Sequence, residues 1–238
     1  MELSQRTVLV TGASRGIGAS ITAGLLAEDC NVVGIARKFE LNSDFLNDAR
    51  FSAIELDLSK LDHIPAKFQK IRRNYKSINA LICNAGFGRF GSLEEFSSTQ
   101  IRDLIDLNLT SQILLTREFL PALKSQGFGD IVFIGSEAAL KGGRRGAVYS
   151  ATKFALRGLA ESLREECSGS GVRVSIINPG MVATDFFNEL NFQPGKDEDC
   201  HLRPDDVYAA LKLILTARPG ININEIGLSP HRKLIDFK

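Results

Sequence analysis

The sequence has few residues of the types that build metal sites and covalent frameworks. Its 238 residues include four cysteines and three histidines, and neither type forms a closely spaced group. Cys30 precedes one apolar stretch and Cys83 ends another, which is typical of reduced thiols packed in a core. We therefore predict no metal ion and no paired cysteine motif.

Net charge, targeting signals and long hydrophobic runs are also lacking. The formal net charge is +1, so no global electrostatic attraction favours nucleic acid as a partner. Residues 1–6 lack the apolar core of a signal peptide, and no apolar run approaches the length of a membrane span. We expect a cytoplasmic protein that binds neither nucleic acid nor membrane.

Short apolar stretches alternate with helical patterns along the chain. Predicted strands lie at 7–10, 32–35, 51–58, 80–83, 131–134, 172–177 and 221–226. Predicted helices follow the stretch 11–18, cover 60–74 and 99–124, begin near residue 149, and cover 204–216. This alternation predicts an α/β protein with a doubly wound Rossmann fold, in which helices cover both faces of a parallel sheet of about seven strands. Without a linker or repeat, residues 1–238 are predicted to form a single domain.

The stretch from Ser136 to Lys153 carries the clearest chemical signal. Ser136 follows a predicted strand, and Tyr149 and Lys153 lie one helical turn apart. A cation about 4 Å from a phenol, at an effective dielectric of about 20, favours the phenolate by ~4 kcal/mol, although burial opposes this. We predict that Lys153 lowers the pKa of Tyr149, so that the phenol exchanges a proton with a carbonyl or alcohol oxygen while Ser136 donates a second hydrogen bond.

A second pair with the same spacing, Tyr208 and Lys212, lacks a preceding serine at the end of a strand. We interpret these two residues as helix-surface residues without a chemical role.

Three glycines predict a nucleotide site near the amino terminus. Gly12, Gly16 and Gly18 follow a strand and open a helix. Such a turn lets the backbone approach a pyrophosphate, which the amino end of a helix favours electrostatically.

Cations near this turn indicate which coenzyme binds. Ala36 and Arg37 end the second predicted strand and Lys38 follows, where a free ribose hydroxyl would require a carboxylate. Together with Arg15 of the glycine turn, these cations suit a ribose phosphate and predict NADP(H) in preference to NAD(H). Alternatively, Arg37 and Lys38 only solvate the end of the strand.

In their order along the chain these motifs resemble the short-chain dehydrogenase/reductase family in its compact one-domain form. The resemblance implies four catalytic residues, Asn108, Ser136, Tyr149 and Lys153. It also implies a set of residues that bind the coenzyme: Gly12, Ser14, Arg15, Gly16, Ile17, Gly18, Arg37, Asp57, Leu58, Asn84, Ala85, Gly86, Tyr149, Lys153, Pro179, Gly180, Val182 and Thr184. A homodimer or homotetramer is implied as well.

Some implied roles have structural alternatives. Asp57 would lie at the adenine ring and Lys153 would hold the nicotinamide ribose. Asn108 would hold a proton-relay water, or else be a hydrogen-bonded buried amide. Thr184 would contact the nicotinamide amide, or else cap a helix. The segment 185–203 would be either a mobile lid over the substrate or a helix packed on the core.

Taken together, these features predict an NADP(H)-dependent oxidoreductase that interconverts a carbonyl compound and an alcohol. The main alternative is a non-catalytic coenzyme sensor or scaffold with the same fold, and an epimerase or dehydratase is a third. The sequence does not identify the carbonyl substrate. Lys141, Arg144 and Arg145, with Arg89, suit an acidic group on the substrate, whereas the alternative places them in solvent or against a neighbouring subunit.

Overall fold

The structure is a computed structural model that describes residues 2–40 and 44–238. Its strands are β1 Thr7–Thr11, β2 Asn31–Ala36, β3 Phe51–Glu55, β4 Ala80–Cys83, β5 Gly129–Ile134, β6 Val172–Pro179, β7 Phe192–Pro194, β8 Glu225–Leu228 and β9 Ile235–Phe237. Its α-helices are α1 Gly16–Ala27, α2 Ile64–Asn74, α3 Ser98–Ile105, α4 Ser111–Gln126, α5 Ala147–Glu166 and α6 Pro204–Thr216.

Seven strands form one parallel sheet with the order β3-β2-β1-β4-β5-β6-β8. The strands carry β-branched and other apolar residues on both faces, so each face is buried beneath helices. Helices α1 and α6 pack on one face, and α2, α4 and α5 pack on the other. The predicted doubly wound fold is confirmed. The chain reverses its direction of winding between β1 and β4, where ligands of such sheets bind at the carboxyl ends of the strands.

The last strand of the sheet lies later in the chain than predicted. The expected strand covered 221–226, whereas β8 begins at Glu225. Asn222 explains the difference, because its side-chain amide accepts a hydrogen bond from Val174 N at 2.8 Å and donates one to Val174 O at 2.9 Å. The Asn222 side chain thus bonds the N–H and C=O groups of Val174 that a neighbouring strand would otherwise bond.

Three other predicted elements were longer than the elements in the structure. β3 ends at Glu55, because its partner β2 ends at Ala36: Leu56 N donates the last bond between the two strands to Ala36 O, and the chain then turns around Asp57. Helix α2 begins at Ile64, with a proline in its first turn, rather than near residue 60. The helix predicted at 99–124 is divided into α3 and α4 by a wider helical turn at Asp106–Thr110. The stretch between β2 and β3, whose length allows only a short helix, includes residues 41–43, which lie outside the described residues.

A buried ion cluster joins the amino ends of the strands to α6. Asp130 at the start of β5 accepts hydrogen bonds from Arg6 and from Arg173. Arg6 also donates to Leu215 O at 2.8 Å, and Arg173 donates to Ala217 O at 2.9 Å. Both arginines therefore fasten the last turn of α6 to the edge of the sheet opposite the carboxyl ends.

All four cysteines are buried and free, as expected for reduced, packed thiols. No helix in the described part of the chain is long and apolar enough to cross a membrane.

Candidate active site

In the glycine turn between β1 and α1, the backbone conformation and the close packing leave no room for side chains on the glycines. Gly12 and Gly16 have φ angles of 68° and 55°, which glycine adopts without strain. A Cβ atom on Gly18 would lie 2.0 Å from Gly12 O, so the turn closes tightly on the helix. No described side chain caps the first turn of α1. Its backbone N–H groups are therefore available to a phosphate, which fits the predicted dinucleotide.

Thr11 joins this turn to the end of β4. Its hydroxyl accepts hydrogen bonds from Asn84 N at 2.9 Å and Ala85 N at 3.0 Å, and the Asn84 amide donates to Thr11 O at 2.9 Å. Gly86 follows, and a Cβ atom there would lie 3.0 Å from the side-chain oxygen of Asn108. The sequence analysis missed Thr11, although a hydroxyl residue between an apolar strand and the first glycine was a usable signal.

The other predicted coenzyme residues lie on the same edge of the sheet. Ser14 and Ile17 are half-buried in the glycine turn, while Arg15 is exposed. Leu58 is buried beyond the end of β3. Arg37 is exposed after β2, close enough to Asp57 for its charge to act on that carboxyl.

Hydrogen bonds keep the Asp57 carboxyl ionised. Burial raises its pKa, but bonds from the backbone and hydroxyl of Ser59 lower it. The charges of Lys60 and Arg37 act in the same direction, so the net pKa lies below the usual value.

Ser136, Tyr149 and Lys153 meet at the carboxyl end of β5. Ser136 follows this strand, and its side chain caps a short helical turn at Glu137–Ala139 by accepting from Ala138 N at 3.1 Å. Tyr149 and Lys153 project from the first turns of α5, and both are buried. The Lys153 ammonium donates to Ile134 O at 3.0 Å and lies 5.7 Å from the centre of the Tyr149 ring.

The expected lowering of the Tyr149 pKa by Lys153 is wrong for this arrangement. Burial raises the pKa of Tyr149 to about 12, while a hydrogen bond with Ser136 lowers it and the charge of Glu137 raises it. Burial also lowers the pKa of Lys153 to about 8. Desolvation dominates because both groups lie inside the protein, and the ammonium donates to a backbone carbonyl instead of the phenol.

Asn108 is a hydrogen-bonded buried amide, which was one of its two predicted roles. It lies in the wide turn between α3 and α4 and is fully buried. Its side-chain oxygen accepts from Phe87 N at 2.9 Å, and its nitrogen donates to Phe87 O at 2.8 Å. Asn108 therefore fixes the chain that follows Gly86, and the proton relay stays a prediction.

Asn178 is a second residue that the sequence analysis missed. It is buried just before Pro179 and Gly180, and its side-chain oxygen accepts from Ser136 N at 3.2 Å. Its amide donates to Glu225 in β8 at 2.6 Å. Asn178 therefore sets the position of Ser136 relative to the neighbouring strands.

Thr184 faces the glycine turn and caps a helix. Its side chain lies 3.4 Å from the position of a Cβ atom on Gly16. Its hydroxyl accepts from Phe186 N at 3.3 Å, as the predicted alternative of a cap requires. Val182 is buried beside it and forms an isolated parallel bridge with Leu202. This segment thus borders the cleft that the glycine turn opens.

The segment 185–203 is not the helix packed on the core that one prediction allowed. It contains short helical turns at Asp185–Phe187 and Glu198–Cys200, with β7 between them. Strand β7 pairs with β9 in an antiparallel two-stranded sheet. Mobility of this segment as a lid stays a prediction.

An aromatic group covers the Tyr149 ring. The ring centre of Phe90 lies 5.1 Å and that of Phe186 lies 6.1 Å from the ring centre of Tyr149. Phe192 of β7 packs edge-on against Phe90 at 5.0 Å. These side chains come from distant parts of the chain, and together they account for the burial of the phenol.

Tyr208 and Lys212 are partly exposed on α6, as interpreted, but both also contact α1. Tyr208 is half-buried, and its hydroxyl donates to Gly24 O at 2.8 Å. Lys212 forms an ion pair with Glu28. Both residues join α6 to α1, so their role is structural.

A doubly wound sheet with a glycine turn at the switch between β1 and β4 defines a dinucleotide-binding α/β protein. The family described as short chain dehydrogenase matches residues 6–195. FabG of Buchnera aphidicola, a 3-oxoacyl-(acyl-carrier-protein) reductase, is 32% identical over 194 residues, which are 80% of this chain and 79% of that protein. Dehydrogenase/reductase SDR family member 11 of Mus musculus is 29% identical over 244 residues and covers 94% of each chain.

A solved structure of a related enzyme has the same fold as this chain. An alcohol dehydrogenase from the archaeon Thermococcus sibiricus, complexed with 5-hydroxy-NADP, superposes with a TM-score of 0.84 at 26% identity, over 96% of this chain and 98% of that one. The chain therefore belongs to the short-chain dehydrogenase family, a family of oxidoreductases.

Proposed function

We propose that this protein is an NADP(H)-dependent oxidoreductase that interconverts a ketone or aldehyde and an alcohol. The convergence of Ser136, Tyr149 and Lys153 at the carboxyl end of β5, beside the glycine turn, supports the proposal most directly. The chain works as one domain, in the cytoplasm, as a homodimer or homotetramer.

Residues along the cleft hold the coenzyme. The N–H groups at the start of α1 would bind its diphosphate, Asp57 and Leu58 would contact the adenine, and Thr184 and Lys153 would hold the nicotinamide end. The bound coenzyme supplies or accepts the hydride. Asn84 and Asn108 keep the floor of the cleft rigid through their bonds to the backbone.

Tyr149 transfers the proton to or from the substrate oxygen. With a pKa raised to about 12 the phenol stays protonated at neutral pH, which suits donation to the alkoxide that forms when a carbonyl is reduced. Ser136 donates a second hydrogen bond to the same oxygen. The aromatic group around Tyr149 excludes water from the reacting atoms.

The preference for NADP(H) rests on charge at the end of β2. Arg37 is exposed there and Arg15 is exposed in the glycine turn, while the residue that ends the strand is Ala36 instead of an acid. Two guanidinium groups suit a ribose phosphate. The 5-hydroxy-NADP in the Thermococcus sibiricus enzyme is consistent with this choice.

Replacing Tyr149 by phenylalanine tests the proposal. Tyr149→Phe removes the proton donor but leaves the glycine turn, Asp57 and Lys153, which carry most of the proposed contacts to the coenzyme, so kcat falls about 10²–10⁴-fold while the Kd for NADPH changes little. Oxidation of NADPH is followed by absorbance across a panel of ketones and aldehydes, and NADPH binding is measured by fluorescence titration. Tyr208→Phe is the matched control, because it removes a phenol hydroxyl that bonds only Gly24 O. If Tyr149→Phe retains more than about a tenth of the activity, the assignment of Tyr149 is wrong.

A further inference from the structure

One residue in the loop before α5 has an unusual backbone. Arg145 has a φ angle of 60°, in the left-handed region that disfavours most side chains. Among described residues other than glycine, Asp29 alone shares such an angle, and aspartate tolerates it through local hydrogen bonds. The left-handed conformation of an arginine is held against a steric cost, and such costs concentrate at functional sites.

A backbone hydrogen bond fixes Arg145 against the chain that carries Phe90. Gly91 N donates to Arg145 O at 2.8 Å, and a Cβ atom on Gly146 would lie 3.5 Å from the Phe90 ring. Phe90 in turn packs on Tyr149. Arg145 therefore stands at the rim of the aromatic group that covers the proposed proton donor.

The charges around Arg145 leave a cationic surface. Arg89, Lys141, Arg144 and Arg145 are all exposed, and none forms an ion pair with a described residue. Glu137, the acid nearest in sequence to Lys141, is paired with Lys233 at 2.6 Å. Glu95 lies near Gly91, but its carboxylate accepts from Ser92 N at 3.1 Å. Glu137 is thus already paired with a cation, whereas Glu95 keeps its charge and offsets only part of the positive charge of the four cations.

We propose that Arg145 binds a carboxylate or phosphate on the substrate, with Arg89 and Arg144 adding to the local positive potential. The favoured substrate is then a carbonyl compound with two parts. An apolar part that bears the carbonyl lies against Phe90 and Phe186, and an anionic group reaches the rim. This inference rests on the proposed function and adds the substrate class to it.

Arg145→Asn is the informative variant. Asparagine tolerates the left-handed region, so the substitution removes the charge without adding backbone strain. The thermal midpoint is expected to stay unchanged or to rise, which separates lost recognition from lost folding. Arg218→Gln is the matched control, because Arg218 is an exposed cation beyond the last turn of α6, at the opposite edge of the sheet.

Two probe pairs separate the two anions. 4-Acetylbenzoate is compared with its methyl ester, and 4-acetylphenyl phosphate with 4-methoxyacetophenone. Binding is measured by calorimetry in the presence of NADP⁺, and kcat/KM with NADPH. The wild type should bind at least one anionic probe more tightly than its neutral partner, and Arg145→Asn should weaken that probe about tenfold, or about 1.4 kcal/mol. Raising the salt concentration should remove the same preference.

Other outcomes overturn the inference. If Arg145→Asn weakens the charged and neutral members of both pairs equally, or weakens neither, Arg145 does not bind the anion. If Arg218→Gln has the same effect as Arg145→Asn, the preference reflects only net charge. The binding measurement needs no turnover, so it stays informative even if Tyr149→Phe retains activity and the proposed chemistry fails.

Discussion

The buried ammonium of Lys153 should make the protein less stable than a variant without it. Ionising a side chain inside the fold is unfavourable, and only Ile134 O accepts a hydrogen bond from this ammonium among the described residues. Burial lowers the Lys153 pKa from 10.5 to about 8, a difference of about 2.5 pH units. At 1.36 kcal/mol per unit, this corresponds to roughly 3 kcal/mol of unfolding free energy at pH 7.

The sign of the pH dependence follows from proton binding. Between pH 8 and 10.5 the unfolded chain holds a proton on Lys153 that the folded protein has released, so stability rises with pH in this window. The same two pKa values leave a cost of roughly 1 kcal/mol at pH 9.5. The cost of the charge should therefore shrink by about 2 kcal/mol between pH 7 and pH 9.5.

Urea unfolding of the coenzyme-free protein and of Lys153→Met measures this cost. Methionine has a similar length and no charge, so the variant should be about 2–3 kcal/mol more stable at pH 7 and should lose activity. Taking the difference between the two proteins at each pH removes the contribution of Tyr149, whose raised pKa lowers stability only above about pH 10. Lys124→Met serves as the control, because the Lys124 ammonium lies at the surface, where it donates to Glu166 O, and its removal should not stabilise the protein. The reasoning is refuted if Lys153→Met is less stable than the wild type at pH 7, or if the gap is the same at pH 9.5.

Two further predictions concern the coenzyme and the buried ion cluster. Ala36→Asp combined with Arg37→Gln should shift the ratio of kcat/KM values toward NADH, since the new carboxylate accepts ribose hydroxyls and repels a phosphate; a wild type that already prefers NADH would show the argument from Arg15 and Arg37 to be wrong. Asp130→Asn leaves Arg6 and Arg173 without their buried counter-charge, so the free energy of unfolding in urea should fall by about 3–5 kcal/mol, and a loss below about 1 kcal/mol would contradict this interpretation.

Features set by local spacing were visible in the sequence. The strand-turn-helix around Gly12 and the helical separation of Tyr149 and Lys153 depend on neighbours within a few residues, so composition and periodicity sufficed to predict them. The apolar strands likewise predicted a parallel sheet buried on both faces.

Features set by distant contacts were not visible. The pKa of Tyr149 shifts upward because the phenol is buried. Phe90 and Phe186, which contribute to this burial, come from other parts of the chain. The start of β8 depends on a single amide, Asn222, bonding the backbone of β6. Hydrophobic periodicity predicts neither the desolvation of a single side chain nor a side chain that takes the place of a strand partner.

The pairing of β7 with β9 links access to Tyr149 to local unfolding of this two-stranded sheet. Phe192, which packs on Phe90, is paired with Phe237, and flanking backbone bonds join Lys238 N to Asn191 O and Gly195 N to Leu234 O. Displacing Phe192 from Phe90, which itself packs on Tyr149, therefore breaks either this packing alone or the whole two-stranded ribbon. In the second case the amide protons of Phe192, Gln193, Gly195 and residues 234–238 exchange with solvent as one cooperative unit. Under the proposed function, the frequency of that opening would limit how often substrate reaches Tyr149.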